Sequence, residues 1–164
     1  MKRQKGSINL LDLLLVLAIT GLLFGVALPS YQFNVERQQQ TAELNRLRGV
    51  LQQARLIANL LGQEVFLCPA ASSNNCSSAA ISEDLLLLTS DGQPLRFYPG
   101  SGRVIAFPSH DLSFRPLPRR GAGGTLLPCT GFKYNQPKAI TFSVTGRLRI
   151  NSDPPASLQN LCPS

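Results

Sequence analysis

The sequence predicts an α+β protein, with one long N-terminal helix followed by a small head of short antiparallel strands. Three observations carry that prediction. An apolar run opens the chain, a stripe of apolar residues at helical spacing follows it, and the remainder breaks into short apolar stretches separated by turn residues.

The run INLLDLLLVLAITGLLFGVALP covers residues 8–29, and from Leu13 to Leu28 only Thr20 and two glycines interrupt it. With Ile8 to Leu11 it reaches the roughly 20 residues that cross a bilayer as a helix. Lys2, Arg3 and Lys5 precede it and no basic residue follows at once, which places the N-terminus in the cytoplasm and the rest outside. A cleavable secretory signal has a shorter apolar core, of about 7–15 residues, closed by small residues. Here the end reads ALPSY, and Asp12 sits near the start. An acid inside a membrane segment costs about 2.5–3.5 kcal/mol at the helix centre, so it calls for a partner. A chain cut before Ile8 offers one, because its new α-amino group can neutralise Asp12 of a neighbouring subunit. Such a pair sets register more than stability, since a misaligned copy leaves both charges bare.

Leu44, Leu47, Leu51, Ala54, Ala58 and Leu61 recur at spacings of three and four, one apolar face of a helix. Glu43, Arg46, Arg48, Gln52, Gln53 and Arg55 fall on its other faces. The stripe is short for a coiled coil and suits packing on the head. Pro29 is expected to kink the helix and Gly62 to cap it.

In the head, strands are expected at Glu64–Leu67, Leu85–Leu88, Leu95–Tyr98, Arg103–Phe107, Leu112–Phe114, Phe132–Tyr134 and Ala139–Ile150. Turn signals fall between them at Asp91-Gly92, Pro99-Gly100, Pro116 to Pro118 and Gly121 to Gly124. The last is read as a mobile loop flanked by Arg119 and Arg120, and Pro154-Pro155 opens an irregular tail. Cys68, Cys76, Cys129 and Cys162 all lie in this part. An even count in a small exported domain implies two disulfides and an oxidising compartment, with three connectivities open.

Catalysis finds little support. The single histidine, His110, lies in the run Ser109-His110-Asp111, but a triad is assembled in space from separated positions. No C-x-x-C pair or His/Cys cluster suggests a metal, and Gly121-Ala122-Gly123-Gly124 lacks the Lys-Ser/Thr of a phosphate loop. No cofactor is expected. Charge is the more informative property. The formal net charge is +7, and between Arg96 and Arg149 the chain carries Arg96, Arg103, Arg115, Arg119, Arg120, Lys133, Lys138, Arg147 and Arg149 against Asp111 alone. Such an excess is either a solvated face or a surface for a polyanion.

The stretch AITFSVTGRLRIN alternates with period two. As one strand it would bury Ile140, Phe142, Val144, Leu148 and Ile150 and turn Thr141, Ser143, Thr145, Arg147 and Arg149 outward, with Gly146 permitting a bend. Two guanidiniums on one face, about 7 Å apart by strand rise, can each grip a phosphate bidentately.

The N-terminal segment resembles the class III signal of type IV pilins and type II secretion pseudopilins. That signal is a short basic leader, then a processed apolar helix with an acid at its fifth residue and a proline near the twenty-second. Counted from Ile8, Asp12 is fifth, Pro29 is twenty-second and Tyr31 follows. The departures are Asp for the usual Glu, and Ser7 rather than glycine before the cut, with Gly6 one place earlier. Cleavage after Gly6 would shift Asp12 to sixth. The resemblance implies a prepilin peptidase that cuts between Ser7 and Ile8 and methylates the new terminus.

The helix-then-strand order and the loop FLCPAASSNNC are similar to the GspH/FimT/FimU branch of minor pilins and pseudopilins, although the tryptophan that often follows the second cysteine is missing. Thr-Gly-Arg-Leu-Arg matches the GRxR motif of the DNA-binding FimT minor pilins at Gly146, Arg147 and Arg149.

The resemblance implies a leader at 1–7, a transmembrane or filament-core helix at 8–29, an amphipathic helix at 30–62 and a stapled head at 63–164. Cys68–Cys76 would close the polar loop and Cys129–Cys162 would pin the tail. The expected function is a minor pilin binding double-stranded DNA in natural transformation. Gly146, Arg147 and Arg149 would lead, with Lys133, Lys138, Arg119 and Arg120 in support. The expected site is the bacterial inner membrane, with a periplasmic head assembled among other pilin subunits into a pilus or pseudopilus. The alternative is a structural initiation subunit of a pilus or type II secretion system that does not bind DNA.

Overall fold

The computed structural model describes residues 10–108, 112–118, 121–130 and 136–163, the side chains of 23–30 excepted. The chain forms two compact units, Met1–Val35 and Glu36–Ser164. Helix α1 (Leu10–Leu61) contributes to both.

In the first unit, Leu10, Leu11, Leu13, Leu14, Leu15, Val16, Leu17, Ile19 and Leu22 are all exposed, none by less than 49%. A helix apolar on every side finds cover only in lipid or among other helices. Among the described residues, no helix is long and apolar enough to cross a membrane. Pro29 lies within α1 and does not end it.

The second unit is α+β, as expected. Its part of α1 buries Leu44, Leu47, Leu51, Ala54 and Ala58, with Val50 beside them. The last residue of the predicted stripe, Leu61, is 48% exposed, because α1 ends there and Gly62 turns the chain away at φ +66°. Glu43 departs from its expected outer face. It is buried, paired with Arg46, and accepts a hydrogen bond from Ser101 Oγ at 2.7 Å. Arg46 in turn donates to Pro99 O at 2.6 Å, so the pair ties α1 to the loop after the fourth strand.

Two antiparallel sheets pack on this helix. The first comprises β1 (Val65–Pro69), β3 (Leu85–Thr89), β4 (Pro94–Tyr98) and β6 (Leu112–Phe114), in the order β4-β3-β1-β6. The second comprises β2 (Ile81–Ser82), β5 (Ile105–Ala106), β7 (Gly124–Pro128), β8 (Ala139–Phe142) and β9 (Leu148–Asn151), in the order β2-β5-β7-β8-β9. One core draws Leu47 and Leu51 from α1, Leu67 and Leu87 from the first sheet, and Ile105, Leu126, Ile140 and Phe142 from the second. Alternation sends Ala106, Leu127 and Ala139 to the other face of the second sheet, where they meet Leu158. That face is covered by α2 (Ala156–Gln159), a turn of helix where the sequence suggested only irregular tail.

Both expected disulfides are present. Cys68–Cys76 closes the polar loop, and Cys129–Cys162 ties the tail to the end of β7. Buried Gln40 donates through Nε2 to Thr130 O at 3.3 Å and to Gln136 O at 3.2 Å, bringing two distant backbone carbonyls to one amide.

Two further expectations need correction, and a third is not reached. The strand predicted over Ala139–Ile150 is two strands, β8 and β9, joined by a turn. Val144 therefore lies in the turn and is 48% exposed, and Ile150, on an edge strand, is 53% exposed. The glycine loop is not free: Gly124 opens β7, and a Cβ on Gly121 or Gly123 would overlap the carbonyl oxygen of Ser113 or Phe142. The strand expected at Phe132–Tyr134 lies outside the described residues.

Candidate nucleic-acid interface

The hairpin of β8 and β9 carries the two arginines that the alternation singled out. Ser143 N donates to Arg147 O at 3.0 Å and Gly146 N donates to Ser143 O at 2.7 Å, closing a three-residue loop of Val144, Thr145 and Gly146. Gly146 has φ +81°, the left-handed residue that such a loop needs to return the chain in register. Ser143 Oγ accepts from Arg147 N at 3.1 Å and lies 2.8 Å from Thr145 Oγ1, so the turn is held by side chains as well as backbone.

Pairing sets Phe142 opposite Leu148 and Thr141 opposite Arg149. Leu148 is half-buried and packs against the core. Arg147 and Arg149 share the other face with Thr141 and Thr125, whose hydroxyl oxygens lie 3.0 Å apart, and both arginines are exposed. β9 is the edge of its sheet, so Arg149 within it and Arg147 just before it can be approached from the side as well as from the face. Neither guanidinium has a carboxylate partner among the described residues, where the ion pairs are Arg46–Glu43 and Arg115–Glu64.

The remaining predicted positions are scattered. Lys138 is half-buried immediately before β8. Arg119, Arg120 and Lys133 lie outside the described residues, as do His110 and the processing positions Ser7 and Ile8. Asp12 is exposed on α1. No group of three or more His, Cys, Asp or Glu side chains able to hold a metal occurs among the described residues.

Gly146 has a second role that the motif alone does not reveal. Its carbonyl accepts a hydrogen bond from Arg55 Nη1 at 2.9 Å, and a Cβ on Gly146 would overlap the Arg55 guanidinium. The helix arginine thus lies against the turn in space that only glycine leaves. Arg55 lines a cleft of about 200 Å³ with Arg115, Ser113 and Thr145, and a groove of about 370 Å³ with Arg48, Gln52 and Leu148. Reading α1 only as an apolar stripe with polar other faces missed this contact. The available signal was a stretch from Leu44 to Gln63 with three arginines and no acid.

A long N-terminal helix whose second part packs on an antiparallel β-sheet head defines the pilin-like architecture. Two crystal forms of the type IV minor pilin FimU of Pseudomonas aeruginosa have this fold. One matches with a TM-score of 0.55 at 18% identity, covering 74% of this chain and 96% of the FimU chain. The other matches with a TM-score of 0.50 at 20% identity, covering 73% and 97%. No protein-family model and no curated protein matches the sequence.

Proposed function

We infer that the protein is a minor subunit of a type IV pilus whose head binds double-stranded DNA through its phosphates for uptake. The observation that carries the reading is the pair Arg147 and Arg149, the first immediately before and the second within the edge strand β9, both exposed and without a carboxylate partner among the described residues. Arginine forks about 7 Å apart suit successive phosphates, and contacts of that kind are electrostatic and largely independent of sequence. Lys138 is a supporting contact, with Lys133, Arg119 and Arg120. Gly146 acts by shaping the turn. The apolar helix anchors the subunit in the inner membrane, and it stays there after a prepilin peptidase has cut between Ser7 and Ile8, until the subunit is assembled. Asp12 and Pro29 then serve assembly with other subunits, and the head lies on the periplasmic side. No catalytic step is part of this function.

The core cluster and both disulfides fall within Glu36–Ser164, so a chain lacking residues 1–32 retains what holds the head together. That head is expected to bind duplexes of unrelated sequence, with a log–log salt slope of about −3 to −4 for roughly four neutralised phosphates. Arg147→Gln with Arg149→Gln should weaken binding about 30-fold or more and flatten the slope by about two, with unchanged circular dichroism. Equal binding by the double variant would overturn the role of the motif. The fold, shared with FimU, would then favour the second reading, a structural subunit of a pilus or secretion pseudopilus without a DNA role.

A further inference from the structure

Arginines on the head divide into two groups. Arg46 and Arg115 are neutralised by Glu43 and Glu64, and Arg96 lies 5.4 Å from the centre of the Tyr98 ring. Arg48 and Arg55 have no ion-pair partner among the described residues, and the helix offers none nearby, because no acid occurs between Glu43 and Glu64. Seven residues apart, Arg48 and Arg55 lie on one side of α1 about 10 Å from each other along its axis, with Gln52 between them. All three line the groove that the helix makes with the hairpin, together with Gly146 and Leu148, and no carboxylate among the described residues lines it.

Arg48 is exposed, whereas Arg55 is half-buried and fixed by its hydrogen bond to Gly146 O. A guanidinium already held in place loses little side-chain freedom when it binds, and its remaining N–H groups keep their fork geometry. The groove lies on the Phe142 and Leu148 face of the hairpin, while Arg147 and Arg149 lie on the opposite face. Since β9 is an edge strand, the two sets of arginines meet around that edge with no further strand between them.

We propose that Arg48 and Arg55 form a second phosphate-binding row, so that the β8–β9 edge is gripped on both faces by the backbone of one DNA duplex. This rests on the DNA-binding reading above and extends it to residues outside the GRxR motif. The phosphodiester anion is the ligand at each row. A groove of about 370 Å³ admits a phosphate group at its mouth but not a duplex, so the contacts there are to backbone and not to bases.

The test uses the full chain in non-ionic detergent with a 30-base-pair duplex of arbitrary sequence, titrated between about 50 and 200 mM salt, over which several phosphate contacts produce a large fall in affinity. Arg48→Gln with Arg55→Gln should weaken binding about tenfold or more and flatten the log–log slope by about two. Arg37→Gln, an exposed helix arginine that does not line the groove, should change binding by less than about twofold. Because Arg55 also steadies the turn, Arg48→Gln alone is measured as well, and it should retain the parent melting temperature while losing about threefold or more in affinity. Should the parent bind DNA and depend on Arg147 and Arg149 but not on Arg48 or Arg55, the second row is refuted and the motif reading stands. Should the parent not bind DNA, both fall together. Inorganic phosphate that raises the melting temperature in an Arg55-dependent way, with duplex affinity unchanged by the helix variants, would assign the groove to a free anion and overturn the duplex assignment.

Discussion

Replacing Gly146 by alanine separates the two jobs this residue performs. An L-residue forced to φ +81° bears about 1–2 kcal/mol of backbone strain. The new Cβ would also displace the Arg55 guanidinium and break its bond to Gly146 O. Arg55 is the far end of a flexible, half-exposed side chain and can swing away, so that loss is discounted for solvent to about 0.5–1 kcal/mol. The sum, about 1.5–3 kcal/mol, corresponds to a fall of roughly 10 °C in melting temperature for a domain of this size. A thermal melt of the head followed by circular dichroism reads it directly. The same substitution in an Arg55→Ala background should retain only the strain, leaving a coupling of about 0.5–1 kcal/mol in the double-mutant cycle. An undiminished loss in that background would refute the contact. No loss in the parent would refute the turn.

The two disulfides should differ in worth. Loops closed over separations of 33 and 8 residues give chain-entropy contributions of about 3.7 and 2.5 kcal/mol, so Cys129→Ala with Cys162→Ala should lower the denaturation midpoint more than Cys68→Ala with Cys76→Ala, and the reverse order would contradict the entropic account. Tyr98 is buried with a hydroxyl that has no hydrogen-bond partner among the described residues, and burial pushes its pKa above 10.0 despite the opposing pull of Arg96. The folded state therefore holds this proton more tightly than the unfolded chain, and stability is fully present below pH 10 and declines as pH rises through the phenol's ordinary range. Tyr98→Phe should remove that part of the alkaline loss; parallel pH–stability curves for parent and variant would sink the argument.

Much of this fold was legible because burial imposes a period. The face running from Leu44 to Ala58 stood out because one side of α1 packs on two sheets at once. The hairpin was not legible, for a reason intrinsic to alternation. In the β8–β9 register Ile140 pairs with Ile150 and Phe142 with Leu148, so even positions face even positions across the turn. The pattern of a single strand and that of this hairpin are then the same, and only Gly146 marks the difference. The exposed placement of Arg147 and Arg149 survived the error, because both arrangements send odd positions to the outer face. β7 was hidden by its ends, a glycine and a proline, although its middle residues Leu126 and Leu127 are buried on both faces. The Arg55–Gly146 contact joins residues 91 positions apart, a relation that no local pattern encodes.

The amide of Gln40 has a consequence for how this head can change. By holding Thr130 O and Gln136 O at once, it fixes the two ends of the intervening segment from the helix side. Cys129, just before, is fixed covalently to Cys162, and β8 begins just after. Loss of this one amide, as in Gln40→Ala, would therefore release two separate backbone points of the head at once. A single side chain of α1 thereby couples the covalently pinned end of β7 to the approach to β8.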